Sequence, residues 1–324
     1  MSKLLKVESI KNYDLQIDYT FTFRCNYDCS YCTSHDINHP LLTRSYKEIY
    51  SALNYITDFY PNKKIIFNFL GGEPFLYKDL VKVLINLNRS YSTVLTNLSI
   101  SKTYIEKNFL PKYKDKFRIK ASWHPEFSDP DEFIEKVLLI KNTGYAIRGS
   151  ICMHTEKESF DKAVYILDKL PDISDVHTLW NMASNNIEYG KLFDYTDSQK
   201  EIMNKYTDKQ IESGYEKAVQ LIYDDKVIEI DSRLMFIDSL TNFKGMKCYA
   251  GHEKLHILEN GNIFGASCFL SHNNLSLGNM FDKTFRVPTS VITCTFTFCG
   301  CIGDIKITKE AQKKVYYILS KNTL

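Results

Sequence analysis

Cys25, Cys29 and Cys32 fall within eight positions of the stretch RCNYDCSYC, directly after the strand-like run LQIDYTFTF. A four-iron cubane takes four thiolates and a zinc tetrahedron takes four ligands. Three thiolates are offered here and no fourth lies nearby. Two chemistries fit that count. A zinc ion would need a distant fourth ligand such as His35. An iron left without protein sulfur could instead chelate a small molecule through an amine and a carboxylate. An electron delivered through it into a bound sulfonium would then break a carbon–sulfur bond.

The second signal is Gly71-Gly72-Glu73-Pro74, directly after the strand-like KKIIFNFL. Paired glycines let a backbone approach a ligand without interference from Cβ, and the proline stiffens the exit. Read alone, the pair is a strand-to-helix turn. With the Cys-x3-Cys-x2-Cys loop at the end of the first strand, it resembles the radical S-adenosylmethionine superfamily. That resemblance implies a four-iron cluster on Cys25, Cys29 and Cys32, whose open iron takes the methionine end of S-adenosylmethionine. Tyr31 matches the aromatic position that flanks the adenine, and GGEP the motif that meets the methionine amino group. A side chain at Gly72 should then obstruct the methionine site and leave the thiolates in place. Thr96 and Asn97 stand where the superfamily often has a Thr-Asn pair lining the cofactor, and Ser122 where a serine often meets the ribose. Caps or turns are the plainer reading of each.

His124 and Glu126 of WHPEF, and His177 two strands later, are candidates to meet substrate, while Trp180 reads as core. Cys152, in GSICMHT, reads either as a small buried apolar residue or as a hydrogen-atom donor that quenches a substrate radical, as in some peptide epimerases of the superfamily. Arg148 shares its strand face and is grouped with the cofactor-binding candidates, to meet a carboxylate.

Five more cysteines lie late in the chain: Cys248, Cys268, Cys294, Cys299 and Cys301. The stretch from Cys248 to Cys268 resembles the opening of the SPASM and twitch extensions, which hold auxiliary iron–sulfur clusters. Five cysteines suffice for one four-iron cluster with one left over, and are too few for the two clusters of a full SPASM module. Six residues separate Gly261 from Cys268 instead of four, and the Cys-x4-Cys-x-Cys ending also departs from that pattern. A twitch-like, single-cluster extension fits better. The rival is a four-cysteine structural zinc site.

The elements around these motifs alternate. Six strand–helix repeats from LQIDYTFTF to DVHTLW argue for a parallel sheet with helices outside it, too few for a closed eightfold barrel. The expected fold is α/β, a partial (β/α)6 TIM-like barrel over about residues 10–190, with chemistry in the loops after the strands. Ser45 and Glu48 are spaced as a capping box. Asp129-Pro130 opens a helix that Gly144 closes. Residues 191–245 read as a polar helical bridge, with Ile211, Tyr215, Ala218, Val219 and Ile222 on one helical face. From about 246, Asn260-Gly261 marks a hairpin, and TKEAQKKVYYILSKN reads as a final helix with Ala311, Val315, Ile318 and Leu319 on one side.

Across 324 residues, 44% apolar content gives enough core for one large or two modest domains, and a net charge of +2 with interleaved signs makes no electrostatic case for nucleic acid. No secretory signal is visible, nor a membrane-spanning run of roughly 18 apolar residues. Clustered cysteines in such a chain point to metal and a cytoplasmic setting. The expected activity is reductive cleavage of S-adenosylmethionine to a 5′-deoxyadenosyl radical, which takes hydrogen from a substrate. The auxiliary four-iron cluster would relay an electron or ligate that substrate. An external one-electron donor such as flavodoxin or ferredoxin is implied. A peptide or protein substrate fits such extensions best. A sugar, nucleoside or other small metabolite is the alternative, since strand one is expected near residue 15 with no separate leader-binding domain before it. A non-catalytic iron–sulfur electron-relay protein is the rival of another class.

Overall fold

The computed structural model describes residues 2–32, 36–88, 90–179, 193–212, 219–230, 232, 235, 240–268 and 276–312. Leu4–Ser9 (β1) precedes Leu15–Thr22 (β2). Strands and helices then alternate as Tyr46–Asp58 (α1), Ile65–Gly71 (β3), Leu80–Ile85 (α2), Ser90–Thr96 (β4), Lys102–Asn108 (α3), Phe117–Trp123 (β5), Pro130–Asn142 (α4), Ile147–Met153 (β6), Lys157–Lys169 (α5) and Ser174–Thr178 (β7). Strands β2 to β7 pair in chain order, every neighbour parallel. The local signals act as read. Ser45 and Glu48 form a reciprocal capping box on α1. Asp129 caps α4 with Pro130 in its first turn, and Gly144 follows at φ +87°.

The rest of the chain contributes Asp197–Glu212 (α6), Val219–Tyr223 (β8), Val227–Ile230 (β9), Lys247–Cys248 (β10), Lys254–Ile257 (β11), Asn262–Phe264 (β12), Ser276–Asn279 (β13), Ile292–Thr293 (β14), Ile302–Ile305 (α7) and Lys309–Glu310 (β15). The expected Asn260-Gly261 hairpin joins β11 to β12, with Gly261 at φ +89°. Strand β11 lies parallel beside β2, so the hairpin and β13 extend the parallel run into one nine-stranded open sheet. A second, antiparallel sheet has the order β14-β10-β15-β1-β8-β9.

Three expectations are corrected. The first strand is Leu4–Ser9, and it sits in the second sheet. Val219 and Ile222 belong to a hairpin across Asp224-Asp225, not to a helical stripe. The β-branched runs VQLIY and VIEI are strand formers, and β1 supplies a partner for the first. Tyr215 and Ala218 lie outside the described residues, as does the side chain of Ile211. The final helix is not formed at its start: Lys309–Glu310 pairs with both β1 and β10, and Ala311 N donates to Leu5 O at 2.7 Å. Val315, Ile318 and Leu319 lie outside the described residues.

Strand β2 shows how the sheet is used. Successive side chains point to opposite faces. Leu15, Ile17, Tyr19 and Phe21 join the core beneath the helices, with Phe67, Phe69, Ile119, Trp123, Ile151, Val137 and Ile166. Gln16, Asp18, Thr20 and Thr22 take the other face, yet they too are buried. By register the same polar face carries Asn68, Thr93, Arg118, Lys120, Ser122, Arg148, Ser150, Cys152, Asp175 and His177. A polar wall therefore runs across the sheet, buried along β2 and at Thr93, Ser150, Cys152 and Asp175 and exposed at Arg118. No helix among the described residues is long and apolar enough to cross a membrane.

Candidate active site

The cysteine loop leaves the C-terminal end of β2. Cys25 and Cys29 are buried, and Cys32 N donates to Cys29 O at 3.0 Å, turning the loop back on itself. Burial raises the Cys25 thiol, with a smaller push from Cys32. Burial takes Cys29 up to about 12, again with Cys32 and Cys25 adding to the rise. The three thiols thus feel one another. Neutral, buried thiols of this kind give up their protons to a soft metal centre, which stabilises the thiolate far more than water does there.

The GGEP segment is clamped against this loop. Gly72 N donates to Thr22 O at 2.8 Å and Glu73 N to Arg24 O at 2.9 Å. Gly71 sits at φ +143°, and a Cβ there would lie 2.1 Å from Thr22 O; one on Gly72 would lie 2.2 Å from Arg24 O. The glycines therefore serve first the approach of two backbones, which corrects the expectation that a Gly72 side chain would spare the cluster thiolates. Glu73 is fully buried, and its carboxylate accepts from Phe75 N at 2.9 Å, the Thr96 hydroxyl at 2.9 Å and Asn97 N at 2.7 Å. Desolvation raises it to about 7 against those bonds. Pro74 opens the short 3-10 turn that follows.

Thr96 points to the helix side and is committed to Glu73. Asn97 turns the other way: its Nδ2 donates to Asn26 Oδ1 at 3.0 Å and stands 3.8 Å from Cys25 Sγ. Leu98 follows at φ +56°, with its N–H on the Thr96 hydroxyl and its carbonyl on buried Lys136. The cysteine loop, GGEP and the Thr-Asn pair are thus one hydrogen-bonded unit.

A second clamp comes from WHPEF. Glu126 accepts from Ser30 N at 2.8 Å and from the Ser30 hydroxyl, so its carboxylate positions the cysteine loop. His124 Nδ1 stands 3.6 Å from Cys29 Sγ and 3.1 Å from the Tyr31 hydroxyl, and its ring stacks on Tyr31. Cys152 is buried and faces the polar wall opposite His177. Burial pushes its thiol up, and the charges of Cys29 and Cys32 push it further. Ser122 lies on the same wall, next to Ser150. Arg148 does share the Cys152 face, but its carboxylate is the protein's own. Its guanidinium forks onto both Asp175 oxygens, at 2.6 and 2.5 Å. Trp180 and His35 lie outside the described residues.

The later cysteines gather around β10, β14 and α7. Cys248, Cys268 and Cys294 share one apolar cluster, and Cys294 and Cys299 border a second. Burial takes Cys268 up to about 12, with contributions from Asp304 and from Cys248, Cys299 and Cys294. Cys301 is set apart: its Sγ stands 3.7 Å from the Ser267 hydroxyl and 3.9 Å from Lys254 Nζ. Buried Lys254 pairs with Asp18 at 2.7 Å and Asp304 at 2.6 Å, tying this region to the polar wall. No group of three or more His, Cys, Asp or Glu side chains is already placed to hold a metal ion among the described residues. The donors that do come together are thiols, a soft set suited to iron–sulfur or zinc. Asp18, Asp175, Lys254 and Asp304 were not singled out from sequence. The available signal was the polar half of each strand's alternation.

No family model and no curated protein matches the sequence. The fold has solved counterparts. Streptococcus suis SuiB bound to S-adenosylmethionine superposes with a TM-score of 0.56 at 19% identity, covering 83% of this chain and 64% of SuiB. SuiB bound to its precursor peptide SuiA gives 0.56 and 19%, covering 85% and 65%. His-tagged anSMEcpe with bound AdoMet gives 0.56 and 16%, covering 83% and 75%. The chain thus spans just under two thirds of SuiB. At such identities the likeness is one of fold, a mixed α/β architecture with a parallel sheet.

Proposed function

We propose that this chain is a radical S-adenosylmethionine enzyme whose parallel strands curve into a partial (β/α)6 barrel. One observation carries the reading: the three-cysteine loop, GGEP and Asn97 form a single hydrogen-bonded unit at the C-terminal ends of the parallel strands, beside a polar wall. Cys25, Cys29 and Cys32 would hold the cluster, and the backbone from Gly71 to Pro74 would seat the methionine end of the cofactor. When bound, the pair supplies one-electron cleavage of a sulfonium and hence a carbon-centred radical.

The chain's own residues do the rest. Glu73 fixes the GGEP turn, Glu126 fixes the cysteine loop, and Tyr31 with His124 makes an aromatic flank for a planar base. Cys152, on the same wall, would return a hydrogen atom to a substrate radical. Two of the wall's cations are compensated internally, Arg148 by Asp175 and Lys254 by Asp18 and Asp304, while Arg118 donates to the Thr93 hydroxyl. Such a hydrogen-bonding surface suits a polar segment such as a peptide. That SuiB was solved with a precursor peptide adds support to a peptide substrate. The later cysteines would hold a second four-iron centre on Cys248, Cys268, Cys294 and Cys299, with Cys301 outside it. A flavodoxin or ferredoxin would supply electrons.

The test is anaerobic reconstitution with iron and sulfide, then incubation with dithionite and S-adenosylmethionine. The intact chain should release 5′-deoxyadenosine, and the Cys25→Ala/Cys29→Ala/Cys32→Ala variant should not. Equal release by both would overturn the reading.

A further inference from the structure

Lys309 has its side chain buried in the second sheet. It stands directly across the antiparallel β10–β15 pair from Cys248, so the two side chains share one face of the sheet. Its ammonium donates to the backbone carbonyls of Asp304 and Ile305 and lies 4.8 Å from the centre of the Phe243 ring. Phe243 and Cys299 belong to the same apolar cluster. Carboxylates nearby are engaged elsewhere: Asp304 holds Lys254 and Ser267 N, and Glu310 accepts from the Tyr249 hydroxyl. Among the described residues, no carboxylate forms an ion pair with Lys309.

A buried ammonium that meets only carbonyls and a ring is costly, because these neighbours return less than water gave it. The cost is offset when a negative charge sits beside it. Four thiolates on a four-iron core leave a net negative centre, more negative after reduction. The field of Lys309 already opposes the rise that burial imposes on Cys248 and Cys299.

We propose that Lys309 is the built-in counter-charge of the second cysteine centre, a positioning residue whose ammonium favours the reduced, more negative state of an iron–sulfur cluster held by Cys248, Cys268, Cys294 and Cys299. This rests on the iron–sulfur reading of that centre given above. The step is the transfer of one electron from a low-potential donor of the ferredoxin class to the cluster, with no proton taken up by the thiolates. Lys254 plays a different part, since its charge is met twice over by Asp18 and Asp304.

The experiment compares the full-length wild type with Lys309→Met after anaerobic reconstitution. The second-centre signal is taken as the paramagnetic one that added S-adenosylmethionine leaves unchanged. Removing the ammonium should shift its reduction equilibrium at least tenfold against the reduced form, a fall of about 59 mV for one electron, with iron content unchanged. Thermal melting gives a second readout that does not depend on the variant holding its cluster. Without metal, Lys309→Met should melt higher than wild type, because an uncompensated buried charge is gone; with the cluster bound the order should reverse. Retained iron with an unmoved potential, or a metal-free variant that melts below wild type, would overturn the role of Lys309 alone. Stoichiometric zinc in protein purified without oxygen would overturn the iron–sulfur reading, and this inference with it.

Discussion

Replacing Gly72 with alanine tests the central geometry with the smallest possible side chain. A Cβ there would stand 2.2 Å from Arg24 O and 2.8 Å from Cys25 N. Comfortable contact needs about 3.5 Å, so one backbone must retreat by about 1.3 Å. The retreat breaks Gly72 N to Thr22 O and Glu73 N to Arg24 O, 2.8 and 2.9 Å in the native fold. At about 1 kcal/mol for each bond and about 1–3 kcal/mol for the overpacking, Gly72→Ala should cost about 3–5 kcal/mol. For a chain of this size that lowers Tm by about 6–10 °C, at about 2 °C per kcal/mol. The displaced backbone is the one that carries Cys25. The variant should therefore lose iron at the first centre, falling from about eight irons per chain to about four. Cofactor binding should fail together with the iron. Iron and sulfide assays, a melting curve and 5′-deoxyadenosine release check this. If Gly72→Ala keeps wild-type iron and Tm but no longer binds S-adenosylmethionine, the glycine serves the ligand directly and the backbone argument is wrong.

Two further outcomes are expected. Glu73 has its folded-state ionisation raised to about 7 by burial. From about pH 4.5, where the unfolded carboxyl ionises, up to about 7, the folded state holds the extra proton, so Glu73 makes stability fall as pH rises. Urea melts of wild type and Glu73→Gln should differ by that slope across this window; parallel pH profiles would refute the assignment. Cys301→Ala should keep the full iron count after reconstitution and Cys268→Ala should lose about four irons. Loss of iron in the Cys301 variant would show that the thiol beside Lys254 is a ligand after all.

Much of this was legible because the informative residues act locally. Ser45 and Glu48 cap a helix within one turn, and Asn260-Gly261 turns a hairpin in two residues. The spacing of Cys25, Cys29 and Cys32 is fixed by a loop of eight. The errors came where the partner is distant in sequence. Leu4–Ser9 is a strand because residues 219–223 and 309–310 lie on either side of it, and nothing within six residues says so. Likewise Lys309 opens a helix-like pattern and is drawn into a strand by β1 and β10. Internal partners are hidden for the same reason. Glu126 reads as a substrate candidate and Arg148 as a cofactor-binding one, and the fold brings Ser30 and Asp175 to them through loops and strands distant in sequence.

Strand β2 joins the two halves of the functional argument. An alternating strand such as LQIDYTFT usually leaves its polar face to water, as in a one-sided sheet. Here all eight residues are buried, so Gln16, Asp18 and Thr20 depend on partners inside the protein. Gln16 and Asn68 both donate to Asp18, Asp18 pairs with Lys254, and Thr20 meets His256. Lys254 and His256 come from β11, the strand that lies beside β2 and leads toward Cys268. The same β2 delivers Cys25 three residues beyond its end, where Gly71 and Gly72 clamp it. Both cysteine groups are thus referenced to one rigid, fully buried strand, which holds their separation far more tightly than two loops could.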